Sequence, residues 1–181
     1  MIYIALLRGI NVGGHKKIKM SELKEALEQA GLVRVQTYIQ SGNVLFESEE
    51  TEEVLQARME QTIREAFGFE VSIMVRTLEE WRGILAQCPF DTENELAGKR
   101  VHAALLTAAP AASAVEALPA WTHPIEKFHI NGREIYFQFG EQMQDSKLPN
   151  HLMKLKQPMT LRNWNTMSKL AQLAEGMQVK H

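Results

Sequence analysis

The chain has 181 residues, 45% of them hydrophobic and 23% charged, which is enough to bury a core as one domain or as two small ones. Its one cysteine, Cys88, excludes an internal disulfide and any metal site built on several thiolates. The net charge of −2 hides a segregation: residues 1–20 carry +4, residues 146–174 carry +5 and residues 21–145 carry −11. Basic ends around an acidic middle point either to a partner of defined sign or to pairing within the chain.

Residues 1–7 are apolar and β-rich, and they read as a buried strand. No basic residue precedes them and Arg8 ends the run, so they do not form a secretory signal. Residues 8–17, rich in glycine and lysine, read as a loop. A helix follows from about Ser21, with Leu23, Ala26, Leu27 and Ala30 as its apolar stripe and Gly31 at its stop. Residues 35–39 are a second strand, 40–43 a turn and 44–47 a third strand. Thr51 caps a second helix striped by Leu55, Met59, Ile63 and Phe67. Val71, Ile73 and Val75 alternate as a fourth strand. The order β-α-β-β-α-β over residues 1–76 is the ferredoxin-like pattern, with one sheet face under two helices and the other open or covered.

Residues 77–181 are expected to form a second α/β subdomain, the whole being α+β. Thr77 and Glu80 make a capping box before Trp81, Ile84 and Leu85. Residues 89–99 read as loop and 102–107 as a strand, and Pro110 suits the first turn of an Ala-rich helix. Residues 125–130 and 134–139 flank Asn131-Gly132, a strong hairpin signal. Two basic helices, 147–156 and 161–175, are expected to close the chain. The resulting β-α-β-β-α order suggests a structural echo of the first half. The uncharged stretch 101–115 is broken by Pro110 and too short to span a membrane. These features predict a cytoplasmic protein without membrane association.

In a ferredoxin-like unit the first two strands run parallel, so the first loop and the 40–43 turn lie at one end of the sheet. Arg8, Asn11, Gly13 and Gly14 are thereby brought near Ser41, Gly42 and Asn43. Glycine amides can form an anion-binding nest, and Lys16, Lys17, Lys19 and the following helix dipole add positive potential. Against this stands the plain reading that both segments only turn the chain. A P-loop is rejected, because His15 intrudes between Gly14 and Lys16 where lysine must follow the glycine directly, and Lys17, after Lys16, replaces the required hydroxyl.

The second cluster is 160–166. Thr160 is expected to cap the last helix, placing Arg162 in its first turn, where a cation opposes the dipole unless an anion binds there. Lys147, Arg162, Asn163 and Asn165 are then candidate ligand contacts. The alternative is an Arg162–glutamate pair with Trp164 in the core. His15, His102, His123, His129, His151 and His181 show no metal spacing. No nucleophile elbow or carboxylate pair stands out, and an exposed His15 is the best available general base. Tyr3 and Phe46 are the aromatics available to an open sheet face. With pI ≈ 6.3, nucleic acid is the less favoured partner.

The segments 7–14, 19–20, 37–44, 146–148 and 160–166 resemble the bacterial family called domain of unknown function 1697, across nearly the whole chain. The resemblance implies two ferredoxin-like α/β subdomains and no established activity. Pro149 and Pro158 sit where helix-compatible residues are expected. Two functional readings follow. One is a binder of an anionic, phosphorylated small molecule or nucleotide at the Gly-rich loop. The other is a protein–protein interaction or homodimerisation module. No cofactor is assignable.

Overall fold

The structure, a computed structural model, describes residues 1–179. It divides into two compact units. One comprises residues 1–86 with the chain from Ser168 onward, and the other comprises residues 87–167. Each contains a four-stranded antiparallel sheet.

The first unit runs β1 (Ile2–Leu7), α1 (Met20–Gln29), β2 (Val33–Tyr38), β3 (Asn43–Glu47), α2 (Glu52–Phe67), β4 (Ile73–Thr77) and α3 (Leu78–Ala86). The sheet order is β2-β3-β1-β4, consistent with the ferredoxin-like pattern read from the sequence. All six residues of β1 are buried, as in a strand covered on both faces. Tyr3, Ala5 and Leu7 join Val44, Phe46, Ile73 and Val75 under Leu23, Leu27, Leu55, Met59 and Ile63 of α1 and α2. On the other face α3 packs against β1 and β4, with Trp81 fully buried. Thr77 and Glu80 cap α3 reciprocally: each backbone N–H donates to the other's side chain at 3.0 Å. The open aromatic face considered for nucleic acid is absent from this sheet. Tyr3 and Phe46 stack at 5.5 Å inside the helix-covered core, because odd-numbered β1 residues face inward there.

The second unit runs α4 (Glu95–Gly98), β5 (Val101–Leu106), α5 (Ala112–Glu116), β6 (Lys127–Asn131), β7 (Glu134–Gln138), α6 (Leu148–Leu152), a 3-10 turn (Met153–Leu155) and β8 (Met159–Asn163). Its order, β6-β7-β5-β8, repeats that of the first sheet. Leu148, Leu152 and Leu155 cover Ala104, Leu106, Ile135 and Phe137. The last helix, α7 (Trp164–Val179), follows β8 directly.

Four expectations are corrected. Residues 161–163 are strand, not helix, because β5 needs a partner on its second edge and β8 supplies it, Leu105 opposite Thr160 and Ala103 opposite Arg162. The expected helix over 147–156 shortens to α6 and one 3-10 turn, ended by Lys156 in the left-handed region before Pro158. Residues 94–98 contain a short helix where loop was expected, capped by Asn94. Pro110 lies before the α5 cap, Ala111, rather than inside its first turn. With β8 in place the echo is fuller than the sequence suggested. Both halves read β-α-β-β-α-β-α, and Ile4 and Ala103 hold matching central positions, opposite Arg76 and Arg162 respectively.

His102 on β5 meets Phe139 edge-on at 5.1 Å, and its buried Nδ1 has no hydrogen-bond partner. Burial holds this imidazole below its ordinary pKa of 6.5, against a raising hydrogen bond to the Arg100 backbone. The unfolded chain therefore takes up this proton before the folded one does. The stability His102 contributes is complete above about pH 6.5 and is lost as pH falls toward the folded-state value. Urea unfolding at pH 7.5 and 5.5 should show a smaller acid-induced loss in His102→Phe than in the parent protein. An equal loss in both would rule out this assignment.

Candidate functional site

The first loop, residues 8–19, is a small built structure. Asn11 N–H donates to Lys16 O at 3.1 Å and His15 N–H to Val12 O at 3.0 Å, closing a miniature hairpin over Gly13-Gly14. Both glycines have positive φ, 59° and 77°, as a type I′ turn requires. Asn11 fastens the base of this hairpin. Its Nδ2 donates to Ile18 O at 3.1 Å and to Gln40 O at 2.7 Å, and its Oδ1 accepts from Ile18 N–H at 2.9 Å. Asn11 itself sits at φ 55°, a conformation asparagine tolerates better than most residues.

The loop and the 40–43 turn do meet. Leu7 N–H donates to Gly42 O at 2.8 Å. A Cβ on Gly42 would lie 2.7 Å from Ile10 Cδ1 and 2.8 Å from Leu7 Cβ, at a φ of 89°. Asn43 is fully buried and donates to Tyr38 O at 2.8 Å and Ser41 Oγ at 2.9 Å. Arg8, Asn11, Ser41, Gly42 and Asn43 are thus gathered at one end of the sheet, as the topology implied. Asn11 and Asn43 use their side chains to hold the turn together.

What faces solvent is charge. Arg8, His15, Lys16, Lys17 and Lys19 are all exposed. Lys16 Nζ donates to Glu70 O at 2.7 Å. The side chains of Lys17 and Lys19 have no hydrogen bond or ion pair among the described residues. With Asn11, Gly14, Ile18, Glu22 and Gln40 they line a hollow of ≈ 550 Å³, a volume within the range of small-ligand sites. Lys19 is the N-cap of α1 and makes no side-chain cap bond, so the first-turn amides of α1 keep their donors toward this hollow's rim.

The second candidate set lies in the other unit and does not share one surface. Lys147 is exposed at the start of α6, on the helix-covered side of the sheet. Arg162 points to the opposite side, since its neighbour Leu161 packs with the helix-side core. Arg162 is 7% exposed, and its Nη1 donates to Thr160 Oγ1 at 2.7 Å and Leu161 O at 2.9 Å. Burial pushes its guanidinium down to about 10, still charged at neutral pH. The cap of α7 is Asn163, whose Oδ1 accepts from Thr166 N–H at 2.8 Å, and not Thr160. Asn165 is exposed in the first turn of α7, and Trp164 is half-buried rather than in the core. His181 lies outside the described residues.

The family described as protein of unknown function (DUF1697) matches residues 1–136, which include the loop, the 40–43 turn, the first six strands and the start of β7. The chain belongs to that family. No curated protein matches it in sequence. A solved structure, the conserved bacterial protein SP0830 from Streptococcus pneumoniae, is similar over 96% of this chain and 98% of its own, at 28% identity and a TM-score of 0.75. No helix among the described residues is long and apolar enough to cross a membrane. No group of three or more His, Cys, Asp or Glu among them could hold a metal ion.

Residues 117–126 hold Trp121, His123 and Glu126, of which the sequence pattern drew attention only to His123, as lacking metal spacing, and placed residues 125–126 in a strand that begins instead at Lys127. The signal was length: this connection replaces the three residues 30–32 of the first half. Substitutions at three positions test the structural assignments. Gly42→Ala should destabilise by about 2–4 kcal/mol in urea unfolding, combining overpacking with left-handed strain. Gly9→Ala, in open space at φ 70°, should cost only about 1–2 kcal/mol. Asn163→Ala should cost about 1 kcal/mol through loss of the cap, and Asn163→Asp should retain most of that stability.

Proposed function

We propose that this protein binds an anionic, phosphorylated small molecule at the loop of residues 8–19. The observation that carries this reading is the pair Lys17 and Lys19. Among the described residues they have no ion-pair partner, and they stand beside a hollow of ≈ 550 Å³ at the N-terminus of α1, which has no side-chain cap. A phosphate there would meet two ammonium groups, the first-turn amides and the positive end of the helix dipole. Arg8 and Lys16 add positive charge along the same loop, beside a second hollow of mixed charge lined also by Arg64, Glu60 and Glu70. Asn11, Gly42, Ser41 and Asn43 support the site by holding the loop and turn in register. Gly13 and Gly14 form the tip of the loop.

The internal repeat strengthens this reading. In the second half the equivalent connection, residues 107–111, joins strand to helix without a basic hairpin. The longer basic loop is therefore more than this fold needs to pass from strand to helix, and extra loop length in a compact unit is commonly functional. Glu22 sets a sign test, because its carboxylate lines the hollow and opposes any anion held there.

Thermal unfolding with inorganic phosphate, nucleotides and sugar phosphates tests the proposal. A ligand at 100 times its dissociation constant adds about 2.7 kcal/mol, or roughly 5–11 °C for a chain of this size. Lys17→Ala with Lys19→Ala should abolish the shift, and Glu22→Gln should enlarge it. No shift with any phosphate, together with concentration-dependent sedimentation, would favour the interaction-module reading instead.

A further inference from the structure

The second unit carries its own expanded connection. Between α5 and β6 lie residues 117–126, where the first half needs only 30–32 between α1 and β2. The added segment builds a wall of rings. Trp121 and His123 lie nearly parallel, 13° apart with centroids at 6.2 Å. Behind them the buried His151 packs against Trp121 at 5.1 Å and Phe128 at 5.9 Å. Trp121, His123 and Phe128, with Phe90, Lys127 and His129, border a hollow of ≈ 630 Å³.

The ring positions are fixed from several sides. Trp121 Nε1–H donates to Glu126 O at 3.0 Å. His123 Nδ1 accepts from the backbone N–H groups of Ile125 and Glu126, at 3.0 and 2.9 Å. That leaves the proton of a neutral imidazole on Nε2, which lies 3.8 Å from Glu126 Oε1. The Glu126 carboxylate is buried and accepts from Gly140 N–H at 3.2 Å and Ser146 Oγ at 3.0 Å. A carboxylate taken out of water thus holds the segment that presents the rings. Trp121 and Phe128 pack against the core of this unit yet stay half-buried, and His123 is exposed, so part of each ring remains accessible.

We infer that this hollow is a binding site for a small molecule with a flat aromatic or heteroaromatic ring bearing an acidic group, the ring stacking on the Trp121 and Phe128 side and the acid reaching Lys127. Preorganised aromatic faces favour flat π-systems, and fixing them in advance lowers the cost of ordering on binding. The Glu126 carboxylate is buried and turned to Gly140 N–H and Ser146 Oγ, whereas Lys127 is exposed at the hollow's edge and is the cation a ligand's acidic group would reach. The volume falls within the range of small-molecule sites. This site is independent of the basic loop: its lining residues all lie in the other unit.

The test compares two carboxylates on the full chain, naphthalene-2-carboxylate and cyclohexanecarboxylate, by NMR titration of the tryptophan indole N–H signals. Trp121→Phe assigns the Trp121 signal among the three tryptophans. We expect saturable movement of that signal with the flat acid, and binding of the puckered acid weaker by on the order of tenfold or more. Phe90→Ala should weaken the flat acid by a similar factor without perturbing the buried core. Lys127→Ala should weaken it by about two- to fivefold. A stationary Trp121 signal, equal affinity for both acids, or full affinity in Phe90→Ala would each overturn the inference.

Discussion

The central strands β1 and β5 constrain everything else. Each lies between two hydrogen-bonded neighbours, and every residue of each is buried. A strand buried on both faces cannot leave a backbone group unpaired or present one side to water. Each fully buried Ile or Leu contributes about 1.5–3 kcal/mol against a total domain stability of about 5–15 kcal/mol. A single polar residue at Ile4, Leu6 or Leu105 would therefore remove a large part of what holds its unit folded. The same constraint dictates β8: without it, β5 would have an unsatisfied edge.

Because the central strands fix the sheets, the connections are where the two halves are free to differ. Each half lengthens a different one. The first lengthens its strand-to-helix loop and fills it with Arg8, Lys16, Lys17 and Lys19. The second lengthens its helix-to-strand segment and fills it with Trp121, His123 and Glu126. Neither expansion is required by the strand order, since the partner half achieves the same order without it. Charge segregation along the chain follows the same logic. Many acids of the middle segment meet arginines locally, as in Arg34–Glu47 and Arg58–Glu50, while Lys17 and Lys19 remain exposed without such partners.

The first half was legible because its signals are long and mutually consistent. Helices α1 and α2 have apolar stripes, Thr51 marks the start of α2 and the Thr77–Glu80 box that of α3, and the turn residues fall between alternating strands. The meeting of Asn11 with Gln40 followed from strand topology alone. The second half was harder for identifiable reasons. Residues 159–163 give too short an alternation to compete with the strong helical stripe that begins beside them, so the strand was absorbed into the helix. Helices α5 and α6 are only five residues long, below the length at which periodicity is informative. The hydrogen bonds by which Asn11 and Asn43 hold the turn were not legible for another reason. A polar side chain that satisfies turn carbonyls and one that awaits a ligand look alike in a sequence, and only hydrogen-bond geometry separates them.

The repeat also separates what serves the fold from what does not. Arg76 and Arg162 occupy matching places, each on the last strand of its half and one residue before a helix cap. Each is buried, and each turns its Nη1 back to the carbonyl of the preceding residue, Val75 O at 3.0 Å and Leu161 O at 2.9 Å. Arg76 adds Glu52 at 3.7 Å and Arg162 adds Thr160. A cation next to a helix N-terminus opposes the dipole, and burial adds a desolvation penalty. A ligand specific to one half would account for one of these arginines and leave the other unexplained. Backbone carbonyls satisfied by a planar guanidinium at the strand-to-helix corner account for both. A feature that the two halves share despite their divergence belongs to the architecture, and one that appears in a single half has been added to it. By that criterion Arg162 belongs with the fold, and the basic loop and the ring-lined hollow are where the two halves acquired separate surfaces.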